Sequence, residues 1–132
     1  MGDRYCVGFT AESNNKERRV WLYSHWGGSD RHTEIAQAIE KARPRWSDDS
    51  YSTRIAISTI VGDYWKEETG FGIEAGPRCT THTEYAPLLV NWSDQTVTEF
   101  NDLGFDFDSE PQVVAVYSFD DFLSGRVFEE VK

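Results

Sequence analysis

The stretch from Arg19 to Arg31, RVWLYSHWGGSDR, decides how the rest of the chain can fold. It begins with Val20 to Tyr23, which alternate as in a strand, continues through a polar, glycine-rich turn, and leads directly into a helical pattern. A strand, a glycine turn and a helix start together present backbone N–H groups, and such groups bind anions. The sequence therefore places a candidate ligand site at residues 24–30.

The 132 residues are enough for one domain, residues 1–132, and too few for two. No apolar run approaches the roughly 20 residues that span a bilayer, and the first residues lack the apolar core of a signal peptide. The two cysteines, Cys6 and Cys79, are expected to be free thiols, since disulfides are rare in the cytosol. We therefore expect a cytoplasmic protein without a membrane partner.

The charge is uneven along the chain. Residues 1–54 hold nine Lys/Arg and eight Asp/Glu, about +1 net, and residues 55–132 hold four and fifteen, about −11. The acidic half would repel duplex nucleic acid, which argues against that class of partner. The composition instead favours a small anionic ligand at a local basic site, or a basic protein bound to the acidic half.

The first half of the chain predicts a hairpin followed by two helices. Residues 4–10 and 17–24 read as strands around a turn at 11–16. Apolar residues at helical spacing predict a helix at about 31–43, with Ser29 or Asp30 as its cap and Pro44 closing it. A second helix is expected at about 49–63, capped by Ser47 or Asp48, although residues 55–61 are also rich in β-formers.

The second half predicts short strands and a final helix. Strands are expected at residues 71–75, 88–92, 96–100 and 112–117, and Ser118 is the expected cap of a short helix. The fold class is therefore α+β. It is a mostly antiparallel sheet with a two-helix unit inserted after an N-terminal hairpin, and with a short C-terminal helix.

Two loops carry most of the candidate binding residues. In the first loop, the glycines would let a phosphate approach the backbone and an aromatic side chain would stack on a base. In the second loop, residues 64–72, a carboxylate and a hydroxyl could read a sugar or base edge. The two loops would flank one cleft if the strand at 71–75 pairs beside the strand at 17–24. The proposed ligand-binding residues of the two loops are His25, Trp26, Gly27, Gly28, Ser29, Trp65, Glu68, Thr69 and Phe71.

Three arginines are the candidates to neutralise a phosphate: Arg31, Arg45 and Arg54. For Arg54, a salt bridge to Asp30 or Asp48 is an equally good expectation. Alternative readings of the loops are a plain strand-to-helix turn and a loop that enters an edge strand.

Metal and catalytic sites find weaker support. Cys79 and His82 could be two zinc ligands, but a structural zinc site needs four. The acids of residues 102–110, among them Asp102, Asp106 and Asp108, lack the spacing of a calcium loop and favour a solvated acidic segment. No nucleophile motif is present, although His25 with Glu67 or Glu68 could perform acid–base chemistry if they converge. We therefore predict no catalytic residues, no metal and no cofactor.

Three strings carry a resemblance: VWLYSHWGG at 20–28, ARPRWSD at 42–48 and ETGFGI at 68–73. Together with SFDDF at 118–122 they resemble a group of small uncharacterised proteins of actinobacteria and their phages. The resemblance implies a host-directed accessory role in the host cytoplasm and assigns no activity.

The leading functional hypothesis is a non-catalytic protein that sequesters a nucleotide or cyclic-nucleotide immune signal, with a homodimer as the oligomeric state to test. The first alternative is an acidic inhibitor that mimics nucleic acid and covers a basic host or defence protein. The second alternative is a small nucleotide-cleaving hydrolase.

Overall fold

The computed structural model describes residues 3–11, 18–81, 83–101 and 112–125, and within them the chain forms one sheet with helices on one face. The strands are β1 Tyr5–Thr10, β2 Val20–Ser24, β3 Phe71–Ala75, β4 Leu88–Asn91, β5 Thr96–Phe100 and β6 Val113–Ser118. The α-helices are α1 Arg31–Lys41, α2 Asp49–Val61 and α3 Phe119–Leu123.

The sheet has six strands in the order β3-β2-β1-β4-β5-β6. Every neighbouring pair is antiparallel except β1 and β4, which run parallel with Val7 opposite Leu88. The α+β prediction of a mostly antiparallel sheet, two helices after the first hairpin and a short final helix is confirmed. The sheet consists of two antiparallel three-stranded units that meet at one parallel pair.

The main core lies between the sheet and the helices. Alternate side chains of β1, namely Tyr5, Val7 and Phe9, point to the helical face because successive strand residues point to opposite sides. They meet Ile35 and Ile39 of α1, which follow the predicted helical spacing. Burial of these apolar side chains is what fixes α1 and α2 on one face of the sheet.

Helix α2 is confirmed in the stretch where the sequence also suggested a strand. The Asp48 side chain accepts a hydrogen bond from the Tyr51 N–H at 3.3 Å, which satisfies one free donor of the first turn. Asp30 occupies the N-cap position expected for α1, but its side chain makes no cap hydrogen bond, and a 3-10 turn, Gly28–Asp30, leads directly into the helix.

The opposite face of the sheet, called the reverse face below, carries a second and smaller core. Its buried members are Cys6, Trp21, Leu89 and Phe100. The expectation of two free thiols is wrong, because Cys6 is joined to Cys79 by a disulfide across a sequence separation of 73 residues. Cys79 belongs to the segment that leads from β3 to β4, so this segment is tied onto the reverse face.

Several predictions lie outside the described residues: the turn beyond Ala11, His82, and the acidic segment with Asp102, Asp106 and Asp108. Within the described residues, no helix has both the length and the apolar character that crossing a membrane requires.

Candidate functional site

The two predicted binding loops meet in the structure. Strand β3 pairs with β2, with Ser24 opposite Phe71, so the condition for convergence of the loops is fulfilled. The His25 N–H donates to the Gly70 carbonyl at 2.9 Å. Gly70 has φ 103°, and a Cβ built there would lie 2.6 Å from the Trp26 ring. Only glycine fits this position, and its absent side chain lets the second loop lie against the indole.

Trp26 is the centre of a cluster of aromatic rings. Its ring centroid lies 5.4 Å from that of His25, 5.1 Å from that of Tyr64 and 5.8 Å from that of Phe71, within the range of favourable ring contacts. The cluster is not buried: Trp26 is 45% exposed, Tyr64 51% and the adjacent Trp65 73%. We call Trp26, Tyr64, Trp65 and Phe71 the aromatic patch.

Charged and polar residues flank Tyr64 and Trp65 in the sequence. Asp63, Glu67 and Glu68 are exposed, and so is Thr69. Lys66 is the neighbouring cation, with its Nζ 5.9 Å from the centroid of the Trp65 ring. We call Asp63, Lys66, Glu67, Glu68 and Thr69 the rim; its charge is net acidic, and interfaces commonly combine an apolar centre with a polar rim.

Two backbone donors of the glycine turn are bonded within the protein. The Gly28 N–H donates to the Asp3 carbonyl at 2.8 Å, and the Ser29 N–H donates to Asp3 Oδ1 at 2.9 Å. Tyr85 covers the turn so closely that a Cβ on Gly28 would lie 2.2 Å from its ring. The turn does bind a carboxylate, as its geometry predicts, but the carboxylate is that of Asp3, so the predicted phosphate cradle is filled by the chain itself.

Arg31 is also committed inside the protein. Its Nη2 lies 3.6 Å from Glu99 Oε2, its Nε donates to the Ala86 carbonyl at 3.2 Å, and its guanidinium carbon lies 5.0 Å from the centroid of the Tyr85 ring. The side chain is only 11% exposed, and burial lowers the pKa of Arg31. The structure therefore uses Arg31 to hold the start of α1 against the sheet, and not to present a free cation.

The other two predicted arginines are not brought to the aromatic patch. Arg45 lies beyond the C-terminal end of α1, a helix of 11 residues and so about 16 Å long, and its guanidinium carbon lies 5.1 Å from the centroid of the Tyr51 ring. Arg54 lies on α2, where its Nη1 donates to Ser58 Oγ at 3.4 Å, and it makes neither of the two expected salt bridges. The predicted binding residues therefore lie in separate places: the two loops meet at the aromatic patch, whereas Arg45 and Arg54 lie away from it.

The structure gives no support to acid–base chemistry at the loops. His25 Nδ1 lies 3.0 Å from the Tyr23 hydroxyl, and it is this neighbour on β2, not Glu67 or Glu68, that His25 contacts. Within the described residues, no group of three or more His, Cys, Asp or Glu side chains is placed to hold a metal ion.

Two residues of this site are not among those predicted from the sequence. Tyr64 lies in the predicted second loop, and its position next to Trp65 in a polar, charged segment is itself a signal for exposed rings. Asp3 gave no signal, because the residue that fills a glycine turn is selected by tertiary packing.

Comparison of the chain with protein-family models, with curated proteins and with solved structures found no match. The resemblance to actinobacterial and phage proteins stays a prediction.

Proposed function

We propose that this protein is a non-catalytic binding protein that docks onto a basic protein through the aromatic patch. The observation that carries the proposal is the exposure of Trp26 and Tyr64, whose ring centroids lie 5.1 Å apart, with the exposed Trp65 next to Tyr64 in the chain. Tryptophan and tyrosine dominate the binding energy of protein interfaces, and exposed apolar patches on small proteins mark contact sites.

The charge of the rim selects the class of partner. Asp63, Glu67 and Glu68 outnumber Lys66 around the patch, and the whole chain carries a net charge of −10. Such a surface repels anionic lipid and duplex nucleic acid, and it attracts a protein whose own rim is basic. Pairing of two patches from two copies would bring acidic rims together, which disfavours a homodimer through this surface.

The small-ligand hypothesis loses its phosphate site at the glycine turn, because Asp3 occupies the donors there. In the phage setting that the resemblance implies, a docking protein of this kind would act by covering a basic host protein. This is the first alternative of the sequence analysis, with the contact surface moved from the acidic segment at 102–110 to the aromatic patch.

The test is selection of peptides from a random displayed library on the immobilised protein. We expect enriched peptides that place Lys or Arg around an apolar residue. Tyr64→Ala and Trp65→Ala should each weaken the enriched peptides by about 2 kcal/mol, or ~30-fold in Kd, as at interface hot spots.

Tyr51→Ala is the matched control, because Tyr51 is 53% exposed but lies at the opposite end of α2. Peptides without basic residues, or binding that Tyr64→Ala leaves intact, would contradict the proposal. Quenching of Trp26 fluorescence by free nucleotides, lost in Trp26→Phe, would instead support the nucleotide hypothesis.

A further inference from the structure

Strand β3 forms one edge of the sheet, and its outer side is a second candidate surface. It pairs with β2 in one continuous register, and among the residues that the structure describes no strand pairs with its other side. Such an edge offers backbone N–H and C=O groups to any strand that can lie beside it. Natural sheets protect their edges with Lys, Pro or a β-bulge, and the sequence FGIEA of β3 has none of these. The other edge strand, β6, does have a register irregularity in its pairing with β5.

Two hydrogen bonds at the ends of β3 show which backbone groups point outward. The Gly70 carbonyl accepts from the His25 N–H at 2.9 Å, and the Gly76 N–H donates to the Arg19 carbonyl at 3.0 Å. Both groups therefore point to β2, and so do those of every second residue between them. The backbone groups that point away from the sheet belong to Phe71, Ile73 and Ala75.

Ile73 is the centre of this edge. It lies opposite Leu22, which is buried in the main core, so both side chains are on the helical face. Leu22 is buried, whereas Ile73 is 64% exposed. The one charged residue of β3, Glu74, is on the reverse face, where its Oε1 accepts from Thr80 Oγ1 at 2.8 Å. The helical side of the edge is therefore apolar.

We infer that two copies of this chain pair through β3, antiparallel and about a twofold axis at Ile73. In this register Ile73 lies opposite Ile73 of the second copy, and Phe71 lies opposite Ala75 of the second copy. The outward backbone groups of each pair then face one another and exchange N–H···O=C hydrogen bonds. The two exposed Ile73 side chains meet on the helical face and remove each other from water.

The charges at the two ends of β3 favour a second copy as the occupant of this edge. Glu67 and Glu68 are exposed before the strand, and Arg78 follows its last residue by three positions. Antiparallel pairing brings the acidic end of each strand toward the basic end of the other. The aromatic patches adjoin the Phe71 ends, so they lie at opposite ends of the interface. This arrangement avoids the contact between two acidic rims that pairing of the patches would make.

Sedimentation equilibrium of the full chain, from about 1 µM to about 500 µM and with no peptide present, tests the inference. An interface of two short edge strands is small, so we expect a monomer–dimer equilibrium with a Kd of roughly 10 µM. Ile73→Pro should weaken the dimer at least about tenfold. Proline removes the central N–H donor of the interface, and it leaves the pairing with β2 intact because that N–H points outward.

Val116→Pro is the matched control, because it places a proline on the other edge strand. The N–H of Val116 also points away from the sheet, since the Phe119 N–H, three residues later, donates to the Gln95 carbonyl on the β5 side. The variant should leave the Kd unchanged. Thermal melts confirm that both proline variants fold.

Ile73→Cys tests the register. The Cα atoms of a hydrogen-bonded antiparallel pair lie about 5.5 Å apart, within the reach of a disulfide. Mild oxidation should therefore link two copies of Ile73→Cys. Ala75→Cys should stay unlinked, because the two Ala75 positions lie four residues, or roughly 13 Å, apart along the strands. Cys6 and Cys79 are joined to each other and leave the introduced thiol as the reactive one.

Four results would overturn the inference: a protein that is still monomeric at about 500 µM, association that Ile73→Pro leaves unchanged, association that Val116→Pro abolishes, or equal cross-linking of the two cysteine variants. The inference does not rest on docking at the aromatic patch. Docking is tested with peptides and Tyr64→Ala, and self-association is tested without peptides, so the failure of one proposal is distinguishable from the failure of the other.

Discussion

Reduction of the Cys6–Cys79 disulfide is expected to cost this protein a large part of its stability. The bridge closes a loop across 73 residues of sequence separation. In the chain-entropy treatment a loop of this length corresponds to about 4 kcal/mol at 25 °C, because the link removes conformations from the unfolded chain. That is a major share of the 5–15 kcal/mol typical of a folded domain.

Urea denaturation with and without a phosphine reductant measures the effect. With an m-value of roughly 2 kcal/mol/M, the midpoint should fall by roughly 2 M on reduction. The buried Trp21, which packs in the same cluster as Cys6, supplies a fluorescence signal for unfolding. A Cys6→Ala/Cys79→Ala double variant is the control, and its midpoint should not respond to reductant.

Two results would refute this reasoning. Alkylation of both cysteines in the denatured, unreduced protein would show that the disulfide is absent. An unchanged midpoint after complete reduction would show that the bridge does not stabilise the protein by restricting the unfolded chain.

Two further predictions follow from the geometry. Gly70→Ala should destabilise the protein by about 1–2 kcal/mol because of the left-handed φ of this position, and it should also displace the Trp26 ring. Gly72→Ala is the control: it has open space around it and should change stability by less than about 0.5 kcal/mol. Thermal melts and Trp26 fluorescence compare the two variants. The hydrogen bond and charge of His32 hold the pKa of Glu99 below its ordinary value of 4.5, so stability should hold above that pH and decline as pH falls through the lowered pKa. In Glu99→Gln, the denaturation midpoint should fall less steeply with decreasing pH than it does in the unchanged protein.

Local features of the fold were predictable from the sequence because short-range physics decides them. Helical spacing of Ile35 and Ile39 gave α1, and a carboxylate at Asp48 and a hydroxyl at Ser118 gave two helix caps that the structure confirms. The cap of α1 is confirmed in position only: Asp30 is the N-cap residue, but its side chain makes no cap hydrogen bond, and a 3-10 turn precedes the helix.

Long-range choices were not readable from one sequence. The parallel pairing of β1 with β4, the Cys6–Cys79 bridge and the ion pair of Arg31 with Glu99 each join parts of the chain that no spacing relates. The candidate site shows the same division. The Ser29 N–H of the glycine turn donates to the Asp3 carboxylate, a partner from another part of the chain that no spacing predicts, and Trp26, Tyr64 and Trp65 are exposed.

The single parallel pair at the centre of the sheet has a consequence for how the chain folds. The β4–β5 pair closes through a tight turn, whereas β2 and β3 pair across residues 25–70 and Val7 meets Leu88 from ~80 residues away. The parallel pair, which has the longest separation, is therefore expected to be the slow, entropy-limited step that joins the two antiparallel units. The protein is in this sense assembled like a complex of two fragments, and chains cut between Cys79 and β4, where the disulfide stays within the first fragment, are candidates to reassociate without a covalent link.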